Sequence, residues 1–306
     1  MSFRRVLIVA DIEGSSGCWN YAASAFLCKE WALACEAMTR DVQAVVQALF
    51  DAGAEEILIK DFHRTGYNIL AEGIHPRARL ESGYRTGPVP AMGDPDRAEA
   101  VFFLGLHAAS GTRGFLPHTM TSRLADVRVD GRSLPEVALF AALLAPYGIR
   151  PVFFSGCPEA CSQAAQEIPG VTTFPIDKRN GVEHFDACTW RRKLADRAVA
   201  ALFNEATRPL TGTGPFDVRV VFREGTSAAR QAARRWGLIQ EGRAVWFRVA
   251  DLRELFMVLS KICYLVPAML PVLPLALRLQ NVKGRLGLAW VRRQLRHSTG
   301  RHDGNC

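Results

Sequence analysis

The segment Val6–Gly17, VLIVADIEGSSG, constrains this chain more than any other. Val6 to Val9 carry no polar alternation and run toward a glycine break, the pattern of a central parallel strand buried on both faces. Two carboxylates, Asp11 and Glu13, follow at once. Acids buried at a strand end are costly unless a metal, a cation or a proton compensates them. In open α/β sheets ligands bind at the carboxyl ends of strands, and an extended Asp-x-Glu sends both side chains to the same side. Asp11 and Glu13 are therefore the first candidates for a metal or acid–base site.

The rest of the chain supplies a frame for that strand. Further short apolar runs at 56–60, 98–104, 127–129, 151–155, 170–174, 218–222 and 244–249 read as strands. Helical patterns lie between them at 24–52 (with Ser24 as N-cap), 137–144 (opened by Glu136), 160–167, 189–205, 227–236 and 252–261. No internal repeat and no low-complexity tract interrupts the series. Strands alternating with helices predict a three-layer α/β/α fold with a mainly parallel central sheet, covered on both faces. That domain takes residues 1–261, and residues 262–306 form an apolar, proline-containing and then basic C-terminal extension.

The formal charge of +8 is unevenly spread. Residues 278–306 hold seven Lys/Arg against one acid, Asp303, a local charge of +6, and leave only +2 for the rest. The basic character belongs to a tail, not to a nucleic-acid-binding body. Eight cysteines are scattered without a CxxC pair, as expected of reduced cytoplasmic thiols; Cys157 and Cys161 are the only close pair. The N-terminal apolar run is too short for a signal peptide. Residues 262–277 are uncharged but carry Pro267, Pro271 and Pro274, which disfavours a regular spanning helix. Residues 282–296 set Trp290 and several leucines among arginines. This extension could lie on an anionic membrane surface, or form an apolar arm against a neighbouring subunit with a solvated basic end.

Three of the strands deliver metal-ligand side chains at their ends: Asp11 and Glu13, then His63, then His107. Glu136 stands at a helix start, which favours a carboxylate. Each has an ordinary reading alone: Asp11 as a loop cap, Glu136 as a helix-start acid, either histidine as a structural one. Their convergence through topology is what points to metal chemistry. Imidazole and carboxylate ligands suit a pair of zinc ions, and two metals sharing a carboxylate can hold a hydroxide and polarise the carbonyl it attacks. Taken alone, the residues describe a metal-dependent hydrolase.

The set Asp11-Ile-Glu-Gly-Ser-Ser-Gly17, Lys60-Asp-Phe-His63, Phe103-Leu-Gly-Leu-His107, Pro117-His-Thr-Met120 and Asp130-Gly-Arg-Ser-Leu-Pro-Glu136 resembles the M55 family of zinc-dependent D-aminopeptidases. The spacings agree: eleven positions from His107 to His118 and eighteen from His118 to Glu136. Ile74-His-Pro76 and Ile168-Pro-Gly-Val-Thr-Thr173 are similar too. The resemblance implies two zincs per chain, with Asp11 shared between them and Glu13, His63, His107 and Glu136 completing the set. It also implies His118 as the catalytic histidine, a short-peptide substrate whose N-terminal residue is often D-configured, and a ring-like homo-oligomer, commonly a decamer. The chain departs from the family at Gly156-Cys157-Pro158-Glu159, where an acidic pair is usual, and at Arg179-Asn-Gly181 after the familiar Lys178. These departures bear on substrate preference rather than on the metal set.

The resulting expectation is a cytoplasmic dinuclear zinc aminopeptidase. Its rivals are another metal-dependent amidohydrolase on the same scaffold and a non-catalytic, membrane-associated binding protein. A nucleotide-binding reading is weaker, because Gly14-Ser-Ser-Gly17 is not GxGxxG and two acids there would repel a pyrophosphate.

Overall fold

The computed structural model describes residues 2–298; Arg301, Asp303 and Cys306 of the basic tail lie outside the described residues. Val6–Val9 forms the middle of strand β1 (Arg5–Ala10), and its uninterrupted apolar sequence has a structural reason. Val6, Ile8 and Ala10 enter one hydrophobic cluster and Leu7 and Val9 enter the other, so both faces of the strand are buried. β1 pairs in parallel with β2 (Glu56–Asp61) on one side and with β4 (Ala100–Leu106) on the other. The six-stranded sheet is completed by β3 (Arg79–Glu81), β7 (Arg150–Gly156) and β8 (Thr172–Pro175), in the order β3-β2-β1-β4-β7-β8. Every pairing in it is parallel, as expected from the sequence.

One face of this sheet is covered by α2 (Lys29–Asp51) and α5 (Ala187–Leu202). The other face packs against α3 (Glu136–Leu144) and α4 (Pro158–Glu167). The helix expected from Ser24 is instead split. A single turn, α1 (Tyr21–Ser24), is capped by Asn20, whose side chain accepts from Ala23 N–H, and α2 begins at Lys29. Leu27, at φ +66°, breaks the run between them.

A second, antiparallel sheet was not foreseen. It runs β10 (Ile239–Glu241), β11 (Ala244–Asp251), β9 (Thr213–Phe222), β5 (Leu124–Val129), β6 (Arg132–Ser133). The strand–helix–strand–helix series near the C-terminus therefore does not extend the parallel sheet: β9, α6 (Thr226–Trp236), β11 and α7 (Leu252–Tyr264) build this second layer. Polar–apolar alternation in Asp217-Val-Arg-Val distinguishes a half-exposed strand from the continuous runs of the first sheet.

The described part of the C-terminal extension is largely helical. After α7 a short 3-10 segment, Pro267–Val272, leads into α8 (Leu273–Ser298), in which Pro274 occupies the first turn, where a missing N–H costs nothing. The prolines thus shape the turn before the helix and permit the helix itself. No single helix among the described residues is long and apolar enough to cross a membrane; α7 and α8 reach that length and composition only as a pair bent by 104°.

The inner face of α8 docks on this chain's own body. Leu288 and Val291 are buried, Trp290 stacks on Trp31 with ring centroids 6.1 Å apart, and Arg292 makes two bonds to Glu72. Gly284 meets the Tyr67 ring so closely that a Cβ there would lie 2.2 Å from Cδ2. A Gly284→Ala substitution would gain about 1 kcal/mol of helix propensity, but overpacking costs about 1–3 kcal/mol. We expect this variant to melt at a lower temperature than the native chain, and a rise in melting temperature would contradict this packing.

Candidate metal centre

The order of the first sheet reverses between β1 and β4, and a crevice at such a switch point is where α/β proteins bind ligands. The loop leaving β1 crosses the end of β4 at van der Waals contact. Gly14 N–H donates to Gly105 O (2.6 Å), and a Cβ on Gly105, at φ +76°, would lie 2.3 Å from Asp11 O. Only glycine permits that approach. It brings Asp11 and Glu13 from β1 beside His107 from β4, while β2 supplies His63 next door.

All five predicted ligands are buried, at 3–8% exposure. Together with half-buried His118 they fall into two groups whose ligand atoms lie within 4.8 Å of one another: Asp11, Glu13 and His63, and His107, His118 and Glu136. Asp11 joins the groups. Its Oδ1 is 3.0 Å from His63 Nδ1 and its Oδ2 is 3.5 Å from His107 Nε2. His107 Nε2 is also 3.6 Å from Glu136 Oε1.

The backbone sets the histidine tautomers. His63 Nε2 lies 2.9 Å from Ser24 O, His107 Nδ1 3.1 Å from Ala108 O, and His118 Nδ1 2.9 Å from Leu116 O. A carbonyl only accepts, so each of these nitrogens donates its proton. The opposite nitrogen of His63 and of His107 then faces the carboxylates. His118 stacks on His107 with ring centroids 3.6 Å apart.

This arrangement leaves charge uncompensated in the polypeptide alone. Glu13 Oε2 is buried without a hydrogen-bond partner, its 3.1 Å approach to His63 lacking hydrogen-bond geometry. Burial would lower the His63 imidazole, yet Glu13 and Asp11 hold it well above its ordinary pKa. Burial, then Glu13, raises the Asp11 carboxyl; burial lifts Glu136 to about 7. For Glu13, burial pushes upward, but His63, His118 and His107 together keep the carboxyl well below the usual range. Burial, then the charge of His107, lowers His118. Protons are doing what a divalent cation would do with better geometry: an orphaned carboxylate oxygen, two aimed imidazoles and three acids suit a nitrogen–oxygen metal site, and zinc in particular.

The sequence did not reveal what holds these ligands. Asp41, on α2, accepts from Ser16 N–H and Ser16 Oγ (both 2.7 Å) and pairs with Arg191 of α5 at 3.0 Å, bracing the 14–18 loop. Asp61 turns away from the metal ligands and accepts from the backbone N–H groups of Asn68 and Ile69. Met120 N–H donates to Glu136. None of these contacts has a local signal, since each joins residues distant in sequence or uses a backbone atom. The departures from the family pattern separate: Cys157 touches the loop that carries His118, whereas the Arg179 side chain is exposed and pairs with Asp177. Cys157 Sγ accepts from Phe115 N–H on the loop carrying His118, and Lys178 donates to the carbonyls of Ser15 and Cys18. Cys157 and Cys161 join no metal-ligand group among the described residues, and none of the seven described cysteines forms a disulfide.

An α/β protein with an acid- and histidine-lined candidate metal centre at its switch point is the class these features define. The chain belongs to the peptidase M55 family, described as D-aminopeptidase, whose profile matches residues 4–261. A D-aminopeptidase of Bacillus subtilis is 28% identical over 178 residues, covering 57% of this chain; the match spans 65% of that relative's length. The solved structure of the zinc-dependent D-aminopeptidase DppA from Bacillus subtilis, described as a self-compartmentalizing protease, shares the fold. Its TM-score is 0.75 at 24% identity, over 84% of this chain and 96% of that one.

Two predictions follow from the geometry. Asp41→Ala removes no candidate ligand but takes the carboxylate from Arg191 and the acceptor from the Ser16 N–H, a loss of about 3 kcal/mol; we expect lower thermal stability together with weaker zinc retention against a chelator. The second concerns pH in the metal-free protein. Glu136 is raised from 4.5 to about 7, so its contribution is complete below the lower value and lost as pH climbs through the higher. His63 is also raised, so its contribution is likewise present at low pH and lost above 6.5. Metal replaces those protons, so the gain in melting temperature on adding zinc should be larger near about pH 8 than near about pH 6. A gain that shrinks with rising pH would contradict this assignment.

Proposed function

We propose that this chain is a dinuclear zinc aminopeptidase that removes N-terminal residues, D-configured ones included, from short peptides. The observation carrying this reading is the Asp11 carboxylate, whose two oxygens face one ligand group each. Asp11, Glu13 and His63 would hold one zinc, and Asp11, His107 and Glu136 the other. Zinc so bound supplies Lewis acidity toward a peptide carbonyl and a nucleophile at neutral pH.

The remaining work falls to the polypeptide. His118, anchored through Nδ1 to Leu116 O, has Nε2 left as its proton-accepting nitrogen. Burial favours its neutral form, which can take a proton from the attacking water and return it to the leaving amine. The His107 ring beneath it fixes its tilt. Membership of the family and the likeness to DppA support peptide hydrolysis, and the self-compartmentalizing description of DppA supports a homo-oligomer that admits small substrates.

The test combines metal content by mass spectrometry with hydrolysis of D- and L-alanyl dipeptides. Native protein should carry two zincs per chain, and His107→Ala should lose zinc and activity together. His118→Asn should keep both zincs while kcat falls about 10²–10⁴-fold. Loss of a zinc from His118→Asn would make His118 a ligand, and a native protein that takes up no zinc would end the hydrolase reading.

A further inference from the structure

The inner face of α8 is used in packing, and its outer face is not. Leu275, Leu279, Val282 and Leu286 are 56%, 63%, 47% and 68% exposed. Their spacing of four, three and four residues places them on one side of the helix, opposite Leu288 and Val291. Exposed Leu270 and Val272 continue this apolar surface into the preceding 3-10 turn. A contiguous strip of large aliphatic side chains in water marks a place where something else binds.

The charges beside the strip select the partner. Arg278 and Arg285 run along one border, Arg293 extends its line one heptad beyond Leu286, and residues 262–298 contain no Asp or Glu. A second copy laid strip to strip would set arginines against arginines with no acid from either segment to pair them. A bilayer surface bearing anionic headgroups meets both features at once: the leucines enter the acyl boundary and the guanidinium groups stay among the phosphates. The helix is already seated on α2 through its inner side, so it would lie along a membrane and not cross it. Moreover, the match to the M55 family stops at residue 261, before this helix begins.

We propose that the outer face of α8 is a docking surface for anionic phospholipid bilayers, which holds the peptidase body against a membrane. This inference stands apart from the peptidase reading, because its readout is vesicle binding and needs no catalysis.

The full-length, zinc-loaded protein is sedimented with vesicles of phosphatidylcholine alone and of phosphatidylcholine mixed equally with phosphatidylglycerol. We expect binding to the mixed vesicles that weakens as salt is raised. The double variant Leu279→Gln/Leu286→Gln should partition on the order of a hundredfold more weakly, with dipeptide hydrolysis and subunit assembly unchanged. Arg278→Gln/Arg285→Gln should lose the preference for anionic over neutral vesicles. Native protein that stays in the supernatant with both vesicle types overturns the proposal, as does a leucine variant that still binds vesicles. A leucine variant that instead dissociates to a smaller assembly on size-exclusion chromatography assigns the strip to a subunit contact, and likewise overturns it.

Discussion

The Asp11 carboxylate is the point on which the rest of the site depends. It sits almost without solvent just past a strand buried on both faces, with an imidazole on each oxygen. A lone carboxylate there would be forced to neutralise. Each neighbouring feature answers that problem: two histidines oriented by backbone carbonyls, a loop crossing that requires Gly14 and Gly105, and an Asp41–Arg191 brace behind the loop. The same burial cost is what a bound cation would relieve.

What the sequence could show followed from how short-range its causes were. A strand buried on both faces has to be apolar at every position, so β1 was legible from Val6–Val9 and its two acids from their cost of burial. His63 and His107 were legible because topology, once a parallel sheet is granted, places successive strand ends side by side. Glu136 and His118 came from motif spacing, and the structure brings them beside His107. The contacts that were not legible use backbone atoms or join distant helices: Ser24 O on His63, Asp41 with Arg191. Nothing in a local window distinguishes Ser24 as a helix cap, as it was read, from Ser24 as the carbonyl that sets a ligand's tautomer.

The second sheet shows a different limit. Strand–helix–strand order is compatible with both a parallel crossover and an antiparallel layer, and the choice rests on whether the strands face water on one side. β9 alternates, with Asp217 and Arg219 on its more exposed side, where β1 and β4 do not. That difference was in the sequence, but the weight of the preceding parallel units hid it.

The C-terminal helix turns the same reasoning toward the outside of the molecule. Three prolines in sixteen residues argued against a helix across the whole stretch, and the structure agrees over Pro267–Val272 while using Pro274 where proline is harmless. Beyond that turn the chain has two apolar faces on one helix. The inner one is explained by Trp31, Tyr67 and Phe26, which receive Trp290, Gly284 and Gly287 at contact distances. If the outer leucines served only to hold the helix to the body, they would lie on that same side. Their placement opposite it, bordered by arginines in a segment without acids, is an independent design constraint. It bears on what the helix meets outside the molecule, as the carboxylates of the first sheet bear on what the crevice can hold.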